Sequence, residues 1–388
     1  MKILFVAMSD SIHSARWISQ ITDQGWEIYL FPSTINNVVH DSMGRVKFYI
    51  PLVFKNYNNE YINILFRLYN KIMKRVKPEY YKKSLSRYIK KIRPDIIHTM
   101  ETQNAGYLVL EVKRRYFTNK KFPLWWHTNW GSDIYLFGRL KKHKERIKEL
   151  LNEIDYYSCE SKRDVELAKQ FGFKKTVMPV YPNSGGLKLP IIMEMRSKNR
   201  KTSDRKLIML KGYQGWAGRA FVGIRALTLA KEYLKDYKVV IYSCEGYSME
   251  IAAELFAIET GIELEILPEN TKHEDILRYH GLARISIGLS ISDAISTSVL
   301  EAMAMGSFPI QSWTSTAGEW FEDGKSGLLV PPEDPEVVAE ALKRALTDDE
   351  LVDSAYEINW NTVKERLDYD LLKEKTINSY RNIMDNRF

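Results

Sequence analysis

Two carboxylates bracket a short run of small and hydroxyl residues in the second half of the chain: Asp293, then Ala294-Ile295-Ser296-Thr297-Ser298, and then Glu301. The apolar, β-branched stretch Ile285–Leu289 precedes the run, and a helical pattern through Val299, Leu300 and Ala302 follows it. The first N–H groups of a helix have no partner inside it and carry partial positive charge. A serine-lined strand-to-helix turn is therefore a ready site for a phosphate. The plainer alternative is that Glu301 is a helix-start acid and Asp293 a cap, with neither touching a ligand.

Other residues capable of chemistry stand where apolar runs end. Leu207–Leu210 leads into a glycine-rich loop, Lys211-Gly212-Tyr213-Gln214-Gly215-Trp216-Ala217-Gly218-Arg219. His13 and Arg16 follow the first apolar run, His98 and Glu101 end a second, and His127 lies three places before Trp130-Gly131-Ser132-Asp133. Cys159 and Cys244 are far apart and lack metal-ligand partners at useful spacing. They read as reduced, partly buried thiols of a cytoplasmic protein.

The elements that must position these groups alternate. Lys2–Ala7, Trp26–Phe31, Asp95–Thr99, Leu124–Thr128 and Tyr156–Cys159 read as strands, with amphipathic stretches such as Ser9–Thr22 between them. The pattern weakens from Pro182 to Asp204, where Asn183-Ser184-Gly185-Gly186 and then the basic run Arg196 to Lys206 read as an interdomain linker and an exposed segment. It then resumes with Leu207–Leu210, Val239–Ser243, Glu263–Leu267, Ile285–Leu289 and Phe308–Gln311, followed by helices over Glu333–Thr347 and from about Leu351 to Asn386. The expectation is an α/β protein of two doubly wound units. The first spans 1–183, the second 184–369, and a final helix of about 370–388 packs back on the first. Ligands should bind at the carboxyl ends of both sheets.

Composition agrees with this plan. The 388 residues are 45% apolar and 27% charged, too long a chain for one ordinary core. MKILFVAMSD turns polar too early for a secretory leader and reads as a first strand, and no apolar run reaches the length of a membrane span. The net charge of +8 is concentrated: Lys55 to Arg93 holds twelve Lys or Arg residues against Glu60 and Glu79, interleaved with tyrosines. Such a stretch suits an anionic membrane surface, or is a solvated helical face. No nucleic-acid module motif accompanies it, so nucleic acid is not expected as a partner.

The segment Ser290–Asp334 resembles the retaining glycosyltransferases of the GT-B fold known as family 4. Asp293 and Glu301 match that family's two acids separated by seven residues. Ala302-Met303-Ala304, Gly306-Ser307-Phe308-Pro309, Gly318-Glu319, Gly324, Gly327-Leu328-Leu329-Val330 and Pro332-Glu333-Asp334 follow in the family's order. Two departures stand out: Asp293 where the family usually has Glu, and Ala294-Ile295-Ser296 where it usually has Gly-Phe-Gly. The resemblance implies two Rossmann-like domains with parallel sheets facing across a cleft.

By the same resemblance Glu301 would hold the ribose of a nucleotide-sugar donor and Asp293 the donor sugar. Ser296, Thr297 and Ser298 would hold sugar and β-phosphate, and Gly212 and Pro268 would lie on the donor side, with base recognition around Leu267-Pro268-Glu269. Arg219, and after it Lys211, would neutralise the diphosphate. The Trp130–Asp133 segment would line the acceptor side, together with His13, Arg16, His98 and Glu101. His127 would contact the donor sugar or be a satisfied core histidine. The implied reaction moves a sugar, most readily from a UDP-sugar, to a glycan hydroxyl in surface-polysaccharide or lipid-linked oligosaccharide assembly. It would take place in the cytoplasm or at the inner membrane face. No cofactor is implied, and no metal, since no Asp-x-Asp pair ends a strand. An epimerase of the same fold and a non-catalytic nucleotide-sugar binder are the alternatives.

Overall fold

The computed structural model describes residues 1–34, 39–43, 46–48, 64–65, 68, 72, 78–118, 120–196, 198, 200–244 and 246–385. The chain divides into two compact units: Met1–Gly185 with Leu372–Phe388, and Gly186–Leu371.

The first unit is built on a seven-stranded parallel sheet. Its strands are β1 (Lys2–Ala7), β2 (Glu27–Pro32), β3 (Lys47–Phe48), β4 (Ile96–Met100), β5 (Leu124–Thr128), β6 (Tyr156–Ser158) and β7 (Thr176–Val177), in the order β3-β2-β1-β4-β5-β6-β7. The strands read as near-continuous apolar runs because helices cover both faces of a parallel sheet. Leu4, Val6, Ile97, Trp125 and Tyr157 are all enclosed in one core. The helix Pro78–Ile92 lays Leu85, Tyr88, Ile89 and Ile92 into this core and leaves Lys83, Arg87, Lys90 and Lys91 exposed. It is the described end of the basic stretch Lys55–Arg93, most of whose remainder lies outside the described residues.

The second unit holds β8 (Leu207–Lys211), β9 (Lys238–Tyr242), β10 (Glu263–Ile266), β11 (Ala283–Gly288), β12 (Phe308–Ser312) and β13 (Leu328–Val330). Their order is β10-β9-β8-β11-β12-β13, again all parallel. Read by order of appearance this is 3-2-1-4-5-6, the doubly wound arrangement. The winding direction reverses between β8 and β11 in this unit and between β1 and β4 in the other. At such a reversal the flanking loops part and leave a crevice beyond the strand ends.

The boundary between the units, Gly185 to Gly186, falls within the stretch read as a linker, and Lys198, Arg200, Lys201 and Lys206 of the basic segment are exposed, but the structure corrects the reading at two of its arginines. Leu189–Arg196 is a helix, and Arg196 and Arg205 are buried. Arg196 Nη1 donates to Ala304 O at 2.6 Å, and its guanidinium lies 3.9 Å from the Tyr356 ring centroid and 4.4 Å from that of Trp360. Arg205 Nη1 donates to Gly306 O at 2.9 Å, and Thr202 Oγ1 donates to the same carbonyl at 2.9 Å. These carbonyls end the helix Thr297–Met305, where the helix dipole is negative and a guanidinium is the fitting cap. Charge density in sequence suggested solvent; the acceptors that draw these arginines inward come from far along the chain.

Candidate functional site

In the second unit the switch point brings together side chains from both of its flanking strands. Lys211, at the end of β8, donates from Nζ to Ser296 Oγ at 3.0 Å, and Ser296 Oγ lies 2.7 Å from Ser298 Oγ. Ser296 occupies the N-cap position of the helix Thr297–Met305, yet its hydroxyl makes no cap bond among the described residues. Its oxygen is instead committed to Lys211 and Ser298. A cation is thus held over a helix start, the charge arrangement that receives phosphate oxygens.

The glycine-rich loop is tied down along its length. Arg219 N donates to Leu289 O at 3.0 Å and Ile291 N to Ala217 O at 2.8 Å, fastening the loop to the end of β11. A Cβ on Gly218 would stand 2.1 Å from Tyr213 O, so only glycine fits where the loop folds on itself. One on Gly212 would meet Ile241 Cγ2 at 2.8 Å. Arg219 points its Nε to Glu333 at 3.3 Å and its Nη1 to Gly218 O at 2.8 Å. Asp293 is half-buried in a loop pinned by Thr316, which donates through N and Oγ1 to Ala294 O, at 2.7 Å each. Thr297 is half-buried on the helix start.

Glu301 lies one turn into this helix and is 5% exposed. Its Oε1 accepts from His273 Nε2 at 2.5 Å. Sequence reading missed His273, because nothing in the spacing of the two residues couples the start of one helix to the interior of another. Pro268 is exposed beyond β10, two strands from β8.

In the first unit the strand ends carry a buried polar network. Trp125 Nε1, which can only donate, gives its proton to Thr99 Oγ1 at 2.9 Å, and the Thr99 hydroxyl lies 2.9 Å from His127 Nδ1. His127 Nε2 lies 3.1 Å from Thr102 Oγ1, which in turn donates to Asp133 Oδ2 at 2.9 Å. Burial pushes His127 down to about 3, so it is neutral, and both of its nitrogens are committed inside the core. Asp133 also accepts from Thr102 N at 3.0 Å and Trp130 N at 2.9 Å; burial, then the nearby Glu101, push it up to about 8.

Glu101 is 7% exposed and adopts φ 81°, ψ 144°, a backbone region strained for any residue with a Cβ. It opens the π-helical turn Thr102–Gly106 and accepts from Asn104 N and Ala105 N.

His98 is fully enclosed. Trp17 Nε1 donates to Tyr380 OH at 3.0 Å, so the Tyr380 proton goes to His98 Nδ1 at 2.6 Å, and His98 Nε2 donates to Thr128 Oγ1 at 2.6 Å. Its ring stacks on Trp126 at 4.3 Å, and burial holds its pKa well below the usual imidazole value. This placement suits a residue that positions others. His13 is different: half-buried, it packs against Trp130 with ring centroids 5.6 Å apart, and Arg16 is half-buried on the same helix, Ile12–Ser19.

Among the described residues no group of three or more His, Cys, Asp or Glu is arranged to hold a metal ion, and no helix is long and apolar enough to cross a membrane.

Two doubly wound parallel sheets, one of them with a cation and a serine turn at its switch point, make this an α/β protein of two Rossmann-like units. Residues 192–359 match the family described as glycosyl transferases group 1, and residues 80–161 match glycosyl transferase 4-like. The chain belongs with the GT-B glycosyltransferases of the family-4 type.

No curated protein matches the sequence at a significant level. Solved structures share the fold end to end. Sucrose-phosphate synthase from Thermosynechococcus elongatus superposes with a TM-score of 0.71 at 15% identity, covering 100% of both chains. HepE of Anabaena, solved with UDP-glucose, gives 0.69 at 14% identity over 98% of this chain and 100% of that one. The lipopolysaccharide outer core galactosyltransferase WaaB gives 0.67 at 16% identity over 100% of both.

Proposed function

We propose that this glycosyltransferase moves a sugar from a nucleotide-sugar, of the UDP class, to a glycan hydroxyl with retention of configuration, in the assembly of a surface polysaccharide or lipid-linked oligosaccharide. The observation that carries the reading is the Lys211 ammonium held 3.0 Å from Ser296 Oγ at the start of the helix that bears Glu301. The UDP-glucose of the HepE complex and the galactosyl transfer named for WaaB support the donor class.

In this reading the diphosphate lies on the helix start, Glu301 accepts hydrogen bonds from the ribose, and Asp293 meets the donor sugar. As the bond between the anomeric carbon and the β-phosphate oxygen breaks, charge grows on that oxygen. Lys211, Arg219 and the helix amides stabilise it, a contribution of about 3–4 kcal/mol per well-placed donor. The acceptor hydroxyl attacks the same face and passes its proton to the departing phosphate oxygen, so no side-chain nucleophile takes part. His13, Arg16 and Trp130 offer the acceptor a half-open surface in the first unit, supported from below by Asp133, Glu101, His98 and His127. The exposed cations of Pro78–Ile92 suit a lipid-linked acceptor at an anionic surface.

The test is transfer and hydrolysis of radiolabelled UDP-sugars, with and without glycan acceptors, by the wild type and by Glu301→Ala and Arg219→Ala. Turnover that persists in both variants rejects the assigned roles. An isomerised donor formed without acceptor points to an epimerase, and tight UDP binding without turnover across a donor panel points to a binding protein.

A further inference from the structure

We propose that His273 is the positioning residue for ribose recognition: it holds the Glu301 carboxylate in the orientation that receives the nucleotide's sugar hydroxyls. The inference rests on the reading that Glu301 meets the ribose.

Glu301 sits on a helix whose neighbouring residues Leu300, Ala302, Met303 and Ala304 are all buried. A carboxylate in such surroundings needs hydrogen-bond donors, and a long side chain needs one to remain in a single orientation. His273 supplies it at 2.5 Å from the first residue of the adjacent helix, His273–Leu282. The same helix places a second histidine behind the acid. His280 is fully buried, with Nδ1 2.9 Å from Ser286 Oγ, and burial pushes it down to about 4, so it adds no positive charge. His273, with 42% of its side chain exposed, is therefore the histidine that meets both solvent and Glu301.

A carboxylate has about four acceptor sites, and each oxygen can accept two hydrogen bonds. One bond from His273 to Oε1 fixes the plane of the carboxylate without exhausting it. The cis hydroxyls of a ribose, which reach a carboxylate best as a pair, then meet an acceptor already ordered. Fixing the acid in advance removes that ordering cost from nucleotide binding. The contact is the same in the bound donor and in the transition state, so its loss weakens donor binding without slowing the chemical step.

The experiment compares the wild type, His273→Ala and His273→Gln for binding of UDP and 2′-deoxy-UDP by calorimetry, and for transfer kinetics. The expected result for His273→Ala is UDP binding weakened about tenfold and donor KM raised by a similar factor, with kcat unchanged. Binding of 2′-deoxy-UDP should weaken only about twofold, because one of the two hydroxyls that needs the ordered carboxylate is gone. His273→Gln, which can still donate to Glu301, should recover most of the loss. Equal weakening toward UDP and 2′-deoxy-UDP would overturn the inference and make His273 a general support of the fold, as would a fall in kcat at unchanged KM. A wild type that binds neither UDP nor GDP would instead remove the donor-site reading beneath it.

Discussion

His280 makes a strong prediction about pH, because its burial is complete and its sign is unambiguous. The ring lies between Tyr242, edge-on at 5.5 Å, and Ser286 Oγ, which in turn bonds Ser307 Oγ at 2.7 Å. Nε2 is buried and finds no partner among the described residues. Burial lowers its pKa from 6.5 to about 4, with Glu301 pulling the other way. The unfolded chain therefore binds a proton near pH 6.5 that the folded chain refuses until about pH 4. The stability that depends on the neutral ring is complete above 6.5 and is lost as pH falls toward 4.

The slope is about 1.4 kcal/mol per pH unit inside that window, so acidification from pH 6.5 to 5 removes about 2 kcal/mol through this residue. The shifted carboxylates of the same unit, Glu232, Glu265 and Asp353, have lowered values, so their contributions are lost only below the ordinary carboxylate range, outside this interval. In the other unit His127 acts in the same direction and Asp133, raised to about 8, in the opposite one. The measurement is therefore a difference: urea unfolding of the wild type and His280→Gln at pH 7 and pH 5, with amide exchange in β11 and β12 to report the second unit. His280→Gln should be less stable at pH 7 and should lose about 2 kcal/mol less on acidification. If both proteins lose the same amount, His280 is not a buried neutral ring and the argument fails.

Lys211→Met should lower kcat by about 10²–10³ while leaving the urea midpoint near that of the wild type, since in the proposed reaction the ammonium serves charge that develops on the phosphate; unchanged kcat would remove Lys211 from the site. Gly218→Ala places a Cβ 2.1 Å from Tyr213 O, so the loop must rebuild, and UDP binding by calorimetry should fall by at least tenfold with little change in global stability. Tyr380→Phe strands Trp17 Nε1 and His98 Nδ1 in the core of the first unit and should cost about 1–3 kcal/mol in urea unfolding.

Much of this architecture was legible in sequence, for a definable reason. Lys2–Ala7 and Leu124–Thr128 are strands with the expected bounds, since a strand buried on both faces is apolar without interruption and ends where polarity begins. The edge strands β3, β7 and β13 escaped, being two or three residues long and too short to show any period. Serine spacing, an acid pair and strand ends pointed to the loops at the second switch point. Hydrogen-bond partners did not follow from these signals, because they depend on which helices lie side by side. His273 with Glu301, and Tyr380 with His98, are separated by 28 and 282 residues. Charge density misled where partners decide burial: Arg196 and Arg205 looked like surface residues and are core ones.

Those two arginines bear on the chemistry. The helix Thr297–Met305 has Lys211 and the serine turn at its positive end and receives guanidinium groups from Arg196 and Arg205 at its negative end. A helix dipole attracts an anion to its N-terminus while its exposed C-terminus repels it, and the nine residues here span only about 14 Å. Over so short a distance the negative end would cancel part of the field at the serine turn. Two buried cations hydrogen-bonded to its last carbonyls compensate that end and leave the positive end dominant. Burial lowers Arg205 only to about 10, so it remains charged at neutral pH and the compensation persists. The segment that sequence reading set aside as a linker is thus part of what makes the other end of the helix attractive to phosphate.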